Sequence, residues 1–277
     1  MKDLKLVIDI GSKYTIISQV GKSVVIKEPS LVLLQNEKKS VKLVECGNGV
    51  LKYVGALTSS QQMLYPIKDG AIFQEKAAVL MYRNFIQRLL PNFNLIKPHI
   101  KALACVACGL TNVEKNEVEK VLMMAGASEV VVIEAPLAIN SAIDENSSRM
   151  IVDIGASKTD VAVVSKDGIV VGCTLGVGGD SFNQAIMDYI AATRAVRLSA
   201  SKVEKVKKQI GSLYENDTAC ICIDVNELRT NQSVECKIFA ADIKNAIQPL
   251  VDKIVEVIYN LTFQIPERMA EEVYLNG

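Results

Sequence analysis

Asp9 and Asp153 stand out as residues able to do chemistry, because each closes a hydrophobic run and is followed two positions later by a glycine. Val7-Ile8-Asp9-Ile10-Gly11-Ser12-Lys13-Tyr14-Thr15 matches Ile151-Val152-Asp153-Ile154-Gly155-Ala156-Ser157-Lys158-Thr159 almost residue for residue. The chain therefore carries an internal duplication. Each copy predicts a strand that delivers a carboxylate to a tight turn. Gly11 and Ser12 in one turn, and Gly155, Ala156 and Ser157 in the other, keep bulk away from the backbone amides, so that such a turn can cradle phosphate. One Asp-Ile-Gly turn is common in ordinary hairpins. Two that face each other across a cleft would grip the phosphates of ATP, with Asp9 and Asp153 holding hydrated Mg2+ between them.

The elements that must position these turns follow in order. Residues 4–34 predict three strands and a break at Glu28-Pro29-Ser30 before Leu31 to Leu34, all in one sheet. A more polar stretch, 35–62, carries alternating runs at 41–44 and 50–54 around Gly47-Asn48-Gly49 and predicts a small β-rich insertion. Helical spacing returns at 75–90, and Thr111 with Glu114 forms a capping-box pattern for a helix ending at Gly126. Asp180 is expected to cap a further helix and Ser201 another, before a long amphipathic helix from Ala240 to Phe263 that Pro249 should bend. The proline-bounded loop 91–98 exposes Phe93, Leu95 and Ile96, either folding back onto the domain or forming a tip that touches a membrane or a partner.

Composition excludes several classes. Thirty-one basic and 31 acidic residues leave no net field to draw the protein to nucleic acid. No apolar run approaches the roughly 20 residues of a membrane-spanning helix, and no signal segment precedes the first strand, which predicts a cytoplasmic protein. The seven cysteines lie in apolar strand-like segments and are expected to be reduced core residues. Cys105 and Cys108 have no second pair at zinc-site spacing, and the single histidine, His99, has no evident partner.

Beyond the two turns, Lys27-Glu28-Pro29-Ser30, Pro66-Ile67-Lys68-Asp69-Gly70, the Gly109-Leu110-Thr111 to Glu114 helix start, Ala125-Gly126-Ala127, Val177-Gly178-Gly179-Asp180 and Glu204 to Gly211 together resemble the bacterial actin MreB family, within the actin-like ATPases. The likeness covers Leu4 to Gly277. It implies an α/β actin-like fold of two duplicated halves around a nucleotide cleft: a first core of 1–34 and 65–142, a small subdomain of 35–64, a second core of 143–182 and 240–277, and a small subdomain of 183–239. It implies ATP and Mg2+ as ligands, with Asp9, Gly11, Ser12, Lys13, Tyr14, Asp153, Gly155, Ala156 and Ser157 at the phosphates and Gly179, Asp180, Glu204, Lys205, Val206 and Lys207 beside the adenosine. It further implies self-association into filaments, cell-wall synthesis or morphogenesis proteins as partners, no nucleic acid, and a peripheral position on the inner face of the plasma membrane through Leu95 and Ile96.

Several positions depart from the family pattern. Ser12, Lys13 and Tyr14 replace Thr-Ala-Asn in the first turn, and Ala156 and Ser157 replace two glycines in the second. Lys13 and Lys158 are new cations that could meet phosphate directly. The family's Glu-Glu-Pro is Glu134-Ala135-Pro136, so Ala135 stands where a glutamate would orient the attacking water, and Glu134 is expected to point elsewhere. The glycine-rich turn expected to begin at Asn276-Gly277 does not follow, which reads as a truncated end. The leading expectation is a divergent filament subunit with impaired hydrolysis. An active ATPase driving polymer turnover, and a non-filament adaptor of the same fold, such as a chaperone-like reactivase or cell-division anchor, remain open beside it.

Overall fold

A computed structural model of the chain describes residues 3–37, 40–90, 98–143, 148–266, 269 and 272–277. It divides into two units, Met1–Thr174 with Ile265–Gly277, and Leu175–Gln264.

The first unit begins with β1 (Leu4–Ile10), β2 (Tyr14–Gln19) and β3 (Val24–Pro29), a meander whose alternating pattern buries Leu6, Ile8, Ile17 and Ile26. β4 (Val32–Asn36) leaves this sheet and pairs instead with β5 (Val41–Cys46) and β6 (Gln61–Leu64), in the order β5-β4-β6. The expected single sheet over 4–34 is thus two, with the break at Pro29 and Ser30. The run at 50–54, expected as a strand, lies mostly in a 3-10 helix, Gly47–Tyr53. Two contacts explain that turn: Glu28, ion-paired with Arg88, accepts the Asn48 N–H at 3.1 Å, and Val50 is drawn inward against Leu31 and Leu33.

After the short ribbon β7 (Ile67–Lys68) and β8 (Ala71–Ile72), α1 (Glu75–Leu89) buries Tyr82, Phe85 and Ile86 against the main sheet. Each such apolar side chain contributes about 2 kcal/mol of transfer energy. β9 (Ile100–Val106), α2 (Asn112–Ala125) and β10 (Glu129–Glu134) complete a five-stranded sheet ordered β10-β9-β1-β2-β3. The capping box forms as expected. Thr111 Oγ1 accepts the Glu114 N–H, Glu114 Oε2 accepts the Thr111 N–H, and Gly126 ends the helix at φ 124°. The expected apolar tip, Leu95 and Ile96, lies outside the described residues.

α3 (Ala135–Ile143) leads to the second hairpin, β11 (Arg149–Ile154) and β12 (Thr159–Ser165), followed by β13 (Gly168–Leu175). Met150, Ile151, Val152 and Val161 to Val164 are fully buried.

The second unit holds α4 (Gly179–Arg194), β14 (Val196–Arg197), α5 (Ala200–Ile210), β15 (Cys220–Glu227), β16 (Ser233–Phe239) and α6 (Ala240–Thr262). Its sheet runs β14-β15-β16, and Ile186, Ile190, Val203, Val206, Val225, Ile238 and Ile243 form its core. Two caps differ from expectation. Gly178 rather than Asp180 precedes α4, leaving Asp180 in the first turn, where the helix dipole favours an anion. Ser199 rather than Ser201 caps α5, accepting the Lys202 N–H at 3.4 Å.

β17 (Val273–Asn276) returns to the first unit and pairs parallel to β11, giving the order β13-β12-β11-β17. All seven cysteines are free thiols. Cys46, Cys105, Cys108 and Cys236 are core residues as expected, whereas Cys173, Cys220 and Cys222 are exposed on the outer faces of their strands.

Candidate functional site

The two hairpins share one register. Ile10 pairs with Thr15 and Ile154 with Thr159, so each turn spans four residues, and Asp9 and Asp153 occupy equivalent places. Both turns open onto one cavity of about 430 Å³. Asp9, Gly11, Ser12, Lys13, Tyr14, Asp153, Gly155, Ala156 and Ser157 all line it, as does Ala135. The two turns also touch: Ser157 Oγ donates to Ser12 Oγ at 3.2 Å, and Ser12 Oγ accepts the Gly70 N–H at 3.1 Å.

The first turn is braced from behind. Ser30, fully buried, donates its hydroxyl to the Gly11 carbonyl at 2.6 Å, and its backbone N–H donates to the Lys13 carbonyl at 3.0 Å. A Cβ on Gly11 would lie 2.2 Å from the Tyr14 carbonyl oxygen, so only glycine fits there. The second turn is looser. Its Gly155 N–H donates to the Lys158 carbonyl at 2.8 Å, and a Cβ on Gly155 would stand 3.2 Å from that oxygen.

Asp9 faces cavity water yet is ringed by protein. That burial, and then the like charge of Asp153, push its carboxyl up to about 6. A pair of acids that repel each other in this way suits a cation between them, so Asp9 and Asp153 fit hydrated Mg2+. Asp153 is held from the side: Asn276, directly opposite it on β17, donates its amide to Asp153 Oδ1 at 2.7 Å.

Asp160 is a further acid of the cavity wall that motif spacing alone did not single out. It lies opposite Asp153 on β12 and is buried. Its Oδ2 accepts the Cys108 N–H at 2.7 Å, and its Oδ1 lies 2.6 Å from Thr174 Oγ1, which also contacts the Cys108 carbonyl at 2.6 Å. Burial is the main cause that raises its carboxyl above the ordinary range. The Cys105 and Cys108 thiols are likewise pushed up by burial, to about 11 and about 12, which keeps them unreactive.

Glu134 ends β10 with its carboxylate 2.9 Å from Lys115 Nζ, so a structural ion pair engages it, while Ala135 beside it presents only a methyl group. The remaining candidates belong to the second unit. Gly179 accepts Lys207 Nζ at 3.0 Å through its carbonyl, and Glu204 accepts the Asn183 amide at 2.6 Å and pairs with Lys208 at 3.1 Å. Asp180 lies in the first turn of α4, and Lys205 is exposed. Val206 turns into the core, so Glu204, Lys205 and Lys207 carry the polar groups of that segment. Asn276 and Thr174 were not anticipated. Their partners lie on strands set beside them by tertiary pairing, which no local pattern announces.

Doubled Asp-x-Gly hairpins, each at the head of its own sheet, define an actin-like ATPase fold. The MreB5 structure of Spiroplasma citri bound to ADP superposes with a TM-score of 0.85 at 26% identity, covering 99% of this chain and 85% of that one. A structure of the MamK double helical filament shares the fold, with a TM-score of 0.80 at 18% identity over 100% of this chain and 86% of that one. A family model described as MreB/Mbl protein matches residues 3–277, and the chain belongs to that family. Cell shape-determining protein MreB of Escherichia coli (strain K12) is 29% identical over 282 residues, spanning 98% of this chain and 80% of that protein.

Proposed function

We propose that this protein is a cell-shape filament subunit that holds ATP between its two turns and hydrolyses it poorly. The observation that carries the reading is the convergence of both duplicated turns, with both carboxylates, on one cavity. Further support comes from the relatives: an Escherichia coli counterpart named for cell shape, an MreB5 bound to ADP, and a MamK that forms a double helical filament. The backbone amides of the turns take the phosphates, and Asp9 and Asp153 take hydrated Mg2+, which would supply charge neutralisation on the phosphoryl oxygens. Asn276 fixes the Asp153 carboxylate, and Ser30 fixes the Gly11 turn. Nothing at Ala135 can orient a water, and Glu134 is engaged by Lys115, which is the reason to expect slow turnover.

The same reading keeps the four-subdomain division, a cytoplasmic location at the inner face of the membrane through the 91–98 loop, and morphogenesis proteins as partners. Among the described residues no helix is long and apolar enough to cross a membrane. The test is phosphate release from MgATP by the native chain and by Ala135→Glu. A silent native protein and an active variant support a static, ATP-holding subunit. Turnover by the native protein would replace it with the active-ATPase reading. Silence of both, with no ATP retained on a filter, would remove the nucleotide role.

A further inference from the structure

The cavity wall carries three lysines, Lys13, Lys27 and Lys158, against three acids, Asp9, Asp153 and Asp160. Strand register explains how Lys27 joins them. Asp9 pairs with Ile16, and Ile16 pairs with Lys27, so the three stand in one row across β1, β2 and β3 and share a face of the sheet. At about 4.8 Å per strand, the Lys27 backbone stands about 10 Å from that of Asp9, with Ile16 as an apolar floor between. A lysine stem is long enough to carry its ammonium group out over that floor, and Lys27 lines the cavity. Lys13 and Lys158 reach the same space from the two turns.

The acids are less available than their number suggests. Asp160 already accepts the Cys108 N–H and meets the Thr174 hydroxyl, and Asp153 accepts the Asn276 amide. Two of the three acids are thus already engaged by protein groups, whereas an ammonium group is a strong point-charge binder of phosphate.

We propose that Lys27, with Lys13 and Lys158, neutralises the phosphate tail of a nucleotide directly, so that tail binding does not require a divalent cation. This rests on the nucleotide-binding reading above and adds a residue, Lys27, and a charge mechanism to it. The partner chemistry is a nucleoside di- or triphosphate. A nucleoside monophosphate, with a shorter tail, gains less from Lys27.

The experiment is equilibrium binding of labelled ATP and AMP to the full chain at pH 7.5, in Mg2+ and in EDTA, for the native protein, Lys27→Gln and Lys27→Arg. Urea midpoints confirm that these exposed substitutions leave the fold intact. The expected result is native ATP affinity in EDTA within tenfold of that in Mg2+. Lys27→Gln should lose a further tenfold or more in EDTA, little of it for AMP, and Lys27→Arg should restore most of the loss. Native ATP binding that disappears in EDTA overturns the proposal while leaving the nucleotide reading intact. So does a Lys27→Gln that matches the native protein, or one that weakens ATP and AMP equally. Absence of native ATP binding under both conditions overturns the nucleotide reading itself, and the proposal with it.

Discussion

The two hairpins have the same loop length and register, yet they place different residues opposite their acids. Across from Asp9 stands Ile16, and across from Asp153 stands Asp160. The first turn is clamped by a buried serine from the β3–β4 junction, and its glycine has no room for a methyl group. The second turn tolerates Ala156 and Ser157, and its surroundings are polar: the Asn276 amide on one side and the Asp160, Thr174 and Cys108 cluster on the other. Duplication preserved the shape of the backbone. What diverged is the surroundings of each acid: the apolar Ile16 opposite Asp9 and a turn braced from behind by Ser30 in one copy, and hydrogen-bonding partners around Asp153 in the other.

Four experiments break or sharpen that contrast. The largest effect is expected from methylating the two turns in turn: Gly11→Ala should cost about 3 kcal/mol in urea denaturation, because a backbone oxygen must move, whereas Gly155→Ala should cost under about 1 kcal/mol. Equal losses would show that the two turns are packed alike. Next, Asp160→Ala should cost about 2 kcal/mol, since it strands the buried Cys108 N–H, and Asp160→Asn, which keeps the shape without charge, should cost less. If the asparagine form is the weaker, the cluster is held as a carboxylate.

A smaller effect concerns pH. The fold favours the neutral form of Asp9, so this contribution to stability is complete below about 3.8 and is lost as pH rises through about 6. The full shift would be worth about 3 kcal/mol, but cavity water screens it to about 1 kcal/mol. Relative to Asp9→Asn, the native protein should therefore lose stability between about pH 4 and pH 6. Asp153→Asn should reduce that slope, because Asp153 is one of its causes; a native profile parallel to that of Asp9→Asn would refute the assignment. Smallest of all, Asn276→Ala should cost about 0.5 kcal/mol, as expected for one exposed hydrogen bond. A cost of several kcal/mol would mean that β17 is held chiefly by this contact.

Much of this was legible locally. The repeated Asp-x-Gly placed both turns, Thr111 and Glu114 placed the start of α2, and helical spacing placed α1. Local signals failed where distant partners decide. Val50 and Val54 alternate like a strand, but the Glu28 carboxylate on a neighbouring element turns the chain at Gly47. Asp160 reads as an ordinary strand acid until Cys108, 52 residues away, supplies its N–H. Lys27 reads only as the first residue of the Lys27-Glu28-Pro29-Ser30 segment until strand register sets it two strands from Asp9.

The parallel pairing of β17 with β11 has a consequence for how the chain matures as it is made. Asn276 follows Asp153 by 123 residues, so β11 emerges from the ribosome long before its neighbour. The first hairpin finds β9 after a shorter wait. During the interval the β11 edge, with Ile151 and Val152, stays open to pairing with other chains, a route to misassembly during synthesis. The second Asp-x-Gly turn is thus the later of the two to acquire its full setting, and the lag is set by translation speed as much as by the energetics of the finished fold.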